Sequence, residues 1–541
     1  MQKKNYSFRQ LPFSQLFQTY VSDFSKLNSF YQTNPFDEEA IKEHVKDFQF
    51  DGDRQRLVEI LEHFNIPFDL DERAKENIRR LEEEDALVIV TGQQMGIYGG
   101  PLYTVLKTIS TIHLSRQMED MLDRPVIPVF WLADEDHDYD EVSKLNLLNR
   151  DQFQSCSLPS RSQPLPPVAN ITLPDGELAA FKEEVQSALV ETDFSSDLWE
   201  LLDTCYESGR TFGQAFGHLI SRLFSKHGVV LAGSNHSEVK SLVSGTLKRS
   251  ISDVEGIKHC LQKKTEEIGE AFHQQVTLYD SNLFYLEENG QRIKINRADE
   301  NHWSIENGWE WTTEELLKDI EEHPEQYSPN VFLRPLVQDR LLPTLGYVAG
   351  PGEIAYYGQM KGLYSCFDME MPVIFPRISA TIMGPAIDRI FDELPFAFHD
   401  YSQRIEDLES AYVEQSDQIN IEAVFSDWKE KVESIAKPKR KEVAEVDATL
   451  DGAAGKATAV YFGELDKLKG KVYRAVKQQE ETQLKRIRKI HKHLFPEGSL
   501  QERSIATIYF MNKFGLDIWD ELLAQLEDGE DFSQHKLIYV Q

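Results

Sequence analysis

Short apolar runs, separated by stretches long enough for helices, dominate the first 385 residues of the chain. Each run leads into a glycine-rich or strongly polar loop. Because helices cover both faces of a parallel sheet, its strands read as continuous apolar runs rather than as alternating ones. The pattern therefore predicts an α/β fold with a doubly wound parallel sheet and insertions. The runs are 86–90, 126–132, 228–235, 344–348 and 371–375.

Two insertions interrupt this pattern, near residues 146–225 and 240–340. The first is rich in Pro, Ser and Gln at its start. The second contains a long helical pattern, then a hairpin turn at Glu287–Gln291 and a capping box from Thr312 to Glu315. We therefore predict a core over residues 1–385, to which the apolar C-terminal segment 501–541 returns.

The sequence changes character over residues 386–500, where apolar residues keep helical spacing along two long stretches. The first stretch is mainly acidic and the second mainly basic, and Pro438 and Gly452–Gly455 separate them. This pattern predicts an α-helical antiparallel coiled-coil domain that turns at those residues. Such an arm leaves apolar surface for a second copy to cover, so we expect a homodimer. The alternative is a helical domain that packs inside a monomer.

Composition restricts the partners of the chain. It has 58 Lys and Arg against 91 Asp and Glu, a net charge of −33 and a pI near 4.9. Such a surface repels nucleic acids and anionic membranes, and no stretch approaches the roughly 20 apolar residues of a membrane span. The four cysteines are widely spaced, which disfavours a cysteine zinc site and fits a reducing compartment. We expect a cytoplasmic protein that acts on small molecules.

Glycines and amides crowd the loop after the first apolar run, and residues 102–118 then predict an amphipathic helix. In parallel α/β proteins this arrangement brings backbone amides to a phosphate at a helix N-terminus. The loop matches neither G-x-G-x-x-G nor the P-loop pattern, so a plain tight turn is the alternative. The candidate ligand-binding residues are Gly92, Gln94, Gly96, Gly99 and Gly100.

An acidic loop, residues 134–141, follows the second apolar run. Open α/β sheets bind ligands at this end of their strands. Carboxylates beside a histidine suit binding of Mg²⁺, orientation of an ammonium group or general base catalysis. The alternative is a solvated acidic turn that caps the next helix. Asp136 and His137 are the candidate catalytic residues of this loop.

The loop after the fourth run contains Gly350 and Gly352, which would let the backbone approach a ligand. Glu353, Tyr356 and Gln359 then fall near one face of the following helix, where they suit recognition of an amino group or a hydroxyl. The alternative is that Glu353 only complements the helix dipole.

Arg377, Ser379 and Thr381 alternate along an extended segment after the last run. An arginine flanked by hydroxyls suits a phosphate or a carboxylate, although any single arginine is more often part of a surface ion pair. In so acidic a chain, cations near strand ends indicate an anion pocket. The other candidates for it are Arg334, Arg340 and Lys361.

Four segments, taken together and in order, resemble the bacillithiol-biosynthesis cysteine ligase family, BshC, and the likeness covers essentially the whole chain. The resemblance implies a Rossmann-like core with connective insertions and a helical coiled-coil region. It also implies the last step of bacillithiol synthesis, in which the carboxyl of cysteine is joined to the amine of glucosaminyl malate. The segments are Thr91–Tyr103, Pro128–Asp138, Gly350–Tyr357 and Pro376–Arg377.

On this resemblance, ATP would activate cysteine as an adenylate, which the sugar amine would attack; a role for Mg²⁺ stays open. The loop 96–100 would hold the nucleotide, Arg377 with Ser379 and Thr381 would stand where class I aminoacyl-tRNA synthetases have a mobile Lys-Met-Ser-Lys-Ser loop, and His137, Asp136 and Arg377 would be catalytic. Both synthetase motifs, His-x-Gly-His and Lys-Met-Ser-Lys-Ser, are absent. An acyl-phosphate route that releases ADP and a non-catalytic dimeric nucleotide-binding scaffold therefore remain alternatives.

Overall fold

A computed structural model describes residues 1–150, 152–273, 276, 281–306, 308–416, 420–526 and 530–540. The chain divides into two compact units. The core unit comprises Met1–Met383 and Gln501–Gln541, and the helical unit comprises Gly384–Leu500. Within the described ranges, no helix is both long enough and apolar enough to cross a membrane.

The strands all lie in the core unit as far as the chain is described, and most are short. In chain order they are β1 (Gln2–Ser7), β2 (Leu87–Gln93), β3 (Val126–Leu132), β4 (Lys144–Asn149), β5 (Gln152–Ser157), β6 (Val230–Ala232), β7 (Leu283–Leu286), β8 (Arg292–Lys294), β9 (Asn296–Arg297), β10 (His302–Ser304), β11 (Glu310–Thr312), β12 (Tyr327–Pro329), β13 (Thr344–Ala349), β14 (Val373–Pro376), β15 (Ser379–Met383) and β16 (Gln534–Tyr539).

The α-helices of the helical unit are α16 to α20, and the others belong to the core unit. In chain order the helices are α1 (Gln15–Ser22), α2 (Glu38–Asp47), α3 (Arg54–Asn65), α4 (Glu72–Arg80), α5 (Leu102–Leu122), α6 (Tyr139–Val142), α7 (Asp175–Ala188), α8 (Ser195–Cys205), α9 (Phe212–Phe224), α10 (Ser237–Ser252), α11 (Val254–Gly269), α12 (Thr313–Glu322), α13 (Leu333–Leu341), α14 (Pro351–Tyr357), α15 (Lys361–Cys366), α16 (Pro385–Asp392), α17 (Ile405–Ser416), α18 (Ile421–Val446), α19 (Leu450–Gln479), α20 (Glu481–Leu494), α21 (Gln501–Ser504), α22 (Thr507–Phe514) and α23 (Ile518–Ala524).

The central sheet of the core unit is parallel, with the strand order β14–β13–β2–β3–β6 among the described residues. The chain starts in the middle at β2, adds β3 and β6 on one side and then β13 and β14 on the other. This is the Rossmann strand order, and its winding reverses between β2 and β13. Every residue of β3 is buried, as a strand covered by helices on both faces requires. The predicted doubly wound parallel sheet is confirmed.

A second sheet connects the two ends of the chain, with the order β1–β16–β15. β16 pairs antiparallel to β1 and parallel to β15. The C-terminal segment is thereby fixed beside the strand that follows β14. The second insertion contributes the β7–β8 hairpin, which turns over residues 287–291 as expected.

The helical unit is built on α18 and α19, which run antiparallel. Ion pairs join Lys429 to Asp466 at 2.6 Å and Glu422 to Lys469, and apolar side chains including Phe425 and Leu465 are buried in one cluster. These helices confirm the predicted coiled coil.

The expected position of the turn between the two helices was wrong. Pro438 lies inside α18, and Gly452 and Gly455 lie inside α19. The chain reverses at residues 447–449, where the Asp447 carboxylate accepts hydrogen bonds from the amide and the hydroxyl of Thr449, both at 2.8 Å. Such an Asx turn stabilises a chain reversal without glycine or proline.

Candidate functional site

A cavity of about 670 Å³ lies at the carboxyl ends of the central strands. The loops after β2, β3, β6, β13 and β14 all reach it, through residues that include Gln94, Asp136, Ser234, Gly350 and Arg377. It therefore spans the point between β2 and β13 where the winding of the sheet reverses. Doubly wound folds bind their ligands at this point. The cavity is the candidate active site.

An ion pair between the buried Lys107 and the half-buried Glu353 lies in the cavity wall. The Lys107 ammonium, on α5, lies 2.5 Å from Glu353 Oε2 and donates to the carbonyl of Gly92 at 2.7 Å. Burial lowers the pKa of Lys107, and the Glu353 carboxylate opposes that shift. Glu353 also accepts from the Tyr347 hydroxyl and the Gly350 amide, each at 2.7 Å. The pair thus joins β2 to the loop after β13 at the edge of the cavity.

The close approach of β2 and β3 explains the glycine at position 92. A side chain there would bring its Cβ within 3.0 Å of the Trp131 carbonyl oxygen and 3.6 Å of the Tyr347 hydroxyl. The Trp131 indole nitrogen is buried without a hydrogen-bond partner among the described residues, and Trp131 lines the cavity. Glycine therefore keeps this wall open, beside a donor that a ligand can use.

The first acidic residues of the loop after β3 bind other parts of the protein. Asp134 accepts from the backbone amides of Ser234 and Asn235, both at 3.1 Å. Burial, together with the neighbouring Glu135 charge, raises the pKa of Asp134 to about 7. Glu135 accepts from the Ser234 hydroxyl at 2.6 Å and pairs with the buried Lys240. These contacts fix the loop against β6 and α10.

Asp136 and His137 lie next to each other but differ in access to the cavity. Asp136 lines it and accepts from the Gln94 amide group at 2.7 Å. His137 is outside its lining, with Nδ1 2.9 Å from the Glu135 carbonyl oxygen and Nε2 3.0 Å from that of Gly290. Burial lowers the pKa of His137 although both carbonyls favour its charged form. His137 connects the acidic loop to the β7–β8 hairpin.

The glycine loop after β2 divides into two parts. Gly92 and Gln94 line the cavity, whereas Gly96, Gly99 and Gly100 do not. The amides of Gly99 and Gly100 donate to the carbonyls of Gly96 and Ile97, and the Leu102 amide at the start of α5 donates to Ile505. These donors are thus used within the protein, as expected of a tight turn.

The loop after β13 brings most of its predicted residues to the cavity. Gly350, Gly352, Glu353 and Tyr356 line it. Gln359 does not: its amide group donates to the Thr265 hydroxyl at 2.8 Å and is fully buried. The spacing that grouped Gln359 with Glu353 and Tyr356 is that of one continuous helix, but α14 ends at Tyr357. Gln359 therefore points to a different part of the core.

Arg377 lies at the cavity wall in a buried network. Its guanidinium makes two hydrogen bonds to the Glu502 carboxylate, at 2.7 and 3.0 Å. Ser379 donates to Glu502 at 2.9 Å and lies 2.8 Å from Nδ1 of His535, whose Nε2 is 3.0 Å from the Thr381 hydroxyl. Ser379 and Thr381 belong to β15 and do not line the cavity. In this structure the segment is a strand of the second sheet.

Of the remaining predicted cations, only Arg334 lines the cavity. Burial works to lower the pKa of Arg334, but the neighbouring Tyr356, Tyr347 and Asp136 raise it overall. Arg340 pairs with Asp51 at 2.9 Å, and Lys361 donates to the carbonyls of Asn28 and Tyr31.

Sequence reasoning missed many cavity residues, among them Lys107, Trp131, Arg292 and Arg503. Lys107 is one basic residue in a helical pattern, and its unusual feature is that it is only 2% exposed. One signal for its burial was available in the sequence. Lys107 lies between the apolar residues Leu106 and Ile109, in a helix that is buried on most sides. Arg292 and Arg503 come from segments whose approach to the sheet only the tertiary structure reveals.

The candidate site combines donors for an anion with a nearby carboxylate. Lys107, Arg334 and Arg377 provide positive charge, while Asp136 provides a base within reach of the same space. Among the described residues, no group of three or more His, Cys, Asp or Glu side chains could hold a metal ion. Magnesium ions at phosphate sites need only one or two protein carboxylates, because phosphate and water complete the coordination.

A Rossmann-like sheet with a ligand cavity at its reversal point, carried on the same chain as an antiparallel coiled coil, defines a two-part α/β and coiled-coil protein class. Two family models match in the same order. The Bacillithiol biosynthesis BshC, N-terminal Rossmann-like domain, matches residues 1–378, and the Bacillithiol biosynthesis BshC, C-terminal coiled-coil domain, matches residues 380–540. The chain belongs to the BshC family of bacillithiol biosynthesis.

Relatives from several bacteria are similar along nearly their whole length, and each is named "Putative cysteine ligase BshC". The relative from Salinibacter ruber is 32% identical over 535 residues, covering 98% of this chain and 96% of its own. That from Chlorobaculum tepidum is 31% identical, with coverage of 90% and 88%. That from Geobacillus kaustophilus is 31% identical, with coverage of 90% and 91%.

Proposed function

We propose that this protein joins the carboxyl of L-cysteine to the amine of glucosaminyl malate, the last step of bacillithiol biosynthesis, in the cytoplasm. The observation that carries the proposal is the match of both BshC domains and of full-length relatives named as cysteine ligases. A cavity with clustered cations and a carboxylate at the Rossmann reversal point supports it.

Amide formation needs an activated carboxyl group, and we propose ATP as its source. The cysteine carboxylate attacks the α-phosphorus, which forms a cysteinyl adenylate and releases pyrophosphate. The amine of glucosaminyl malate then attacks the acyl carbon, forms the C–N bond, loses a proton and releases AMP. The cavity residues fit an anionic substrate, because Lys107, Arg334 and Arg377 all line the cavity.

Within this reaction we assign Asp136 as the acceptor of the amine proton and Arg377 as an electrostatic stabiliser of the phosphate. Asp136 lines the cavity and is oriented by Gln94, and the Arg377 guanidinium is held by Glu502. His137, which the sequence predicted to be catalytic, lies outside the cavity lining, and we propose it as a positioning residue because its ring connects the loop of Asp136 to Gly290. Gly92, Gly350 and Gly352 would let substrate approach the backbone.

Two alternatives have distinct products. Activation as an acyl phosphate would release ADP, and a nucleotide-binding scaffold would form no thiol at all. Incubation of the purified full chain with cysteine, glucosaminyl malate, ATP and Mg²⁺, followed by mass spectrometry of bacillithiol, AMP and ADP, separates all three. We expect bacillithiol and AMP in equal amounts. Bacillithiol with ADP would replace the adenylate, and no thiol from folded protein would contradict the ligase.

We also propose that the protein is a homodimer formed through the coiled coil. Large apolar side chains on α18 and α19 are exposed in the single chain, among them Ile435, Val446 and Val460. Long apolar surfaces on coiled-coil helices are commonly buried by association.

A further inference from the structure

Arg292 and Arg334 are two cavity arginines for which the described residues supply no carboxylate within ion-pair distance. Two other cavity cations have such a partner: Lys107 pairs with Glu353, and Arg377 pairs with Glu502. In a chain of net charge −33, two half-buried arginines without an acidic partner are unexpected. This difference indicates that a ligand supplies the missing negative charge.

The structure holds Arg292 in place and leaves part of its guanidinium unused. The guanidinium carbon lies 3.9 Å from the centre of the Phe284 ring, and Nη2 donates to the Pro329 carbonyl at 2.6 Å. The buried Nε has no hydrogen-bond partner among the described residues. A fixed donor that lacks a partner costs free energy in the empty protein and binds without further ordering when an acceptor arrives.

Arg334 lies at the start of α13 and close enough to Arg292 for the two charges to repel each other. Glu135 and Asp136 outweigh this repulsion at Arg292, but Glu135 is paired with Lys240 and neither carboxylate forms an ion pair with the two arginines. Two guanidinium groups that line one cavity provide two planar sets of donors, which match two carboxylates better than one. A dianion in the cavity would give each group a carboxylate partner of its own.

Arg292 and Arg334 come from chain segments other than the loops that are expected to bind the nucleotide. Rossmann folds bind nucleotides with the loops after their central strands, here the loops after β2 and β13. Arg292 is on β8 and Arg334 on α13, and both elements precede β13 in the second insertion. An insertion that adds cations to one wall suits recognition of a second substrate.

We propose that Arg292 and Arg334 bind the two carboxylates of the malyl group of glucosaminyl malate. This inference rests on the proposed function, because it assigns a subsite for the acceptor of that reaction. The subsite makes the protein selective for a glucosaminide that carries a dicarboxylate. It leaves the amine of the sugar free to face Asp136.

Direct binding measured by calorimetry, without turnover, tests the subsite on the full chain. The ligands are glucosaminyl malate, methyl glucosaminide, which lacks the malyl group, and ATP. We expect Arg292→Gln and Arg334→Gln each to weaken binding of glucosaminyl malate at least tenfold, because each loses a charge-assisted contact. Binding of ATP and of methyl glucosaminide should change less than twofold.

Arg340→Gln is the matched control, since Arg340 is on the same helix but pairs with Asp51 outside the cavity. It should bind all three ligands as the wild type does. If either Gln variant fails to fold, Arg292→Lys and Arg334→Lys replace the Gln variants, because they keep the charge and the aliphatic stem. We expect these Lys variants to bind glucosaminyl malate with intermediate affinity.

Three results would overturn the subsite. If the arginine variants lose ATP binding and retain glucosaminyl malate, the two arginines bind phosphate. If they bind glucosaminyl malate as tightly as Arg340→Gln does, the subsite is wrong while the ligase proposal stands. If wild-type protein binds no glucosaminyl malate, both proposals fail.

Discussion

At the scale of residues, several polar groups near the cavity act by holding other groups in place. Glu502 fixes Arg377, Gln94 orients Asp136, and the Gly290 carbonyl fixes His137. A sequence pattern can identify a candidate arginine, but it cannot distinguish a free guanidinium from one already paired. Arg377 was correctly expected near strand ends, and its partner comes from a segment 125 positions away.

The Lys107–Glu353 pair should show strong coupling because both charges are largely removed from water. Lys107→Met and Glu353→Gln should each destabilise the protein by about 2–4 kcal/mol, since each leaves a buried group without its partner. The loss in the free energy of unfolding should be smaller for the double variant than the sum of the losses for the two single variants, with a coupling energy of about 1–3 kcal/mol. Urea denaturation of the four proteins measures this coupling.

The surface pair of Arg340 and Asp51 is the control for that cycle, because Asp51 is largely exposed. Its coupling should stay below about 1 kcal/mol. Equal coupling in the two cycles would contradict a special role of burial at Lys107.

His535 should make folding sensitive to mild acid. Burial lowers its folded-state pKa to about 4, against roughly 6.5 in an unfolded chain. The stabilisation is complete above pH 6.5 and is lost as the pH falls towards 4, because the unfolded chain takes up the proton first. Between pH 7 and pH 5 this amounts to about 2 kcal/mol.

Urea midpoints of wild type and His535→Gln at the two pH values measure that contribution, because pH effects common to both proteins cancel. The wild type should lose about 2 kcal/mol more than the variant on going to pH 5. Parallel pH profiles would show that His535 is protonated as easily in the folded as in the unfolded protein.

At the scale of elements, apolar runs gave good predictions where a strand is buried on both faces, and local turns were predicted less well. The bounds of β3 match the predicted run at 126–132, because nothing but apolar residues fits between two helical layers. α5 continues to Leu122 and is buried on most sides rather than amphipathic. The hydroxyls of Thr108, Ser110 and Thr111 donate to backbone carbonyls within the helix. Polar residues in this part of the sequence therefore do not indicate an exposed face.

The turn before α5 shows why the site was only partly predictable. Glycine-rich loops after strands occur both at ligands and at tight turns, and the difference lies in where the amides donate. Here Gly92 and Gln94 reach the cavity, while the donors of Gly99 and Gly100 are used inside the loop. The second insertion, which brings Arg292 to the cavity, has no strand-end signal in the sequence.

Gly100→Ala should therefore affect stability first. Gly100 has φ 64° and ψ −158°, a conformation that side chains other than glycine avoid. Its replacement should lower the free energy of unfolding by about 1–3 kcal/mol, measured by urea denaturation. Gly463→Ala in α19 is the control, since its Cβ meets open space, and it should be neutral or slightly stabilising. A stable Gly100→Ala protein that no longer binds ATP would instead support ligand contact by the loop.

At the scale of the whole molecule, the two units divide their tasks. The core unit contains the cavity and completes its wall with the C-terminal segment, through Glu502 and Arg503. The helical unit has a small buried cluster between long helices and a large share of the exposed apolar side chains. A long helical pair with so small a core of its own is the part of the chain that association would stabilise most.

The proposed homodimer can be tested at Ile435 on α18 and Val460 on α19, which are 67% and 60% exposed. Sedimentation velocity should give twice the chain mass of 62.4 kDa for the wild type. The double variant Ile435→Glu, Val460→Glu should sediment as a monomer, because buried carboxylates would face each other across the interface. Its core unit should unfold as in the wild type.

Lys437→Glu, a charge change at an exposed position of the same helix, is the matched control and should remain dimeric. A monomeric wild type would mean that the helical unit packs only within one chain, and a dimeric double variant would place the contact elsewhere on the protein.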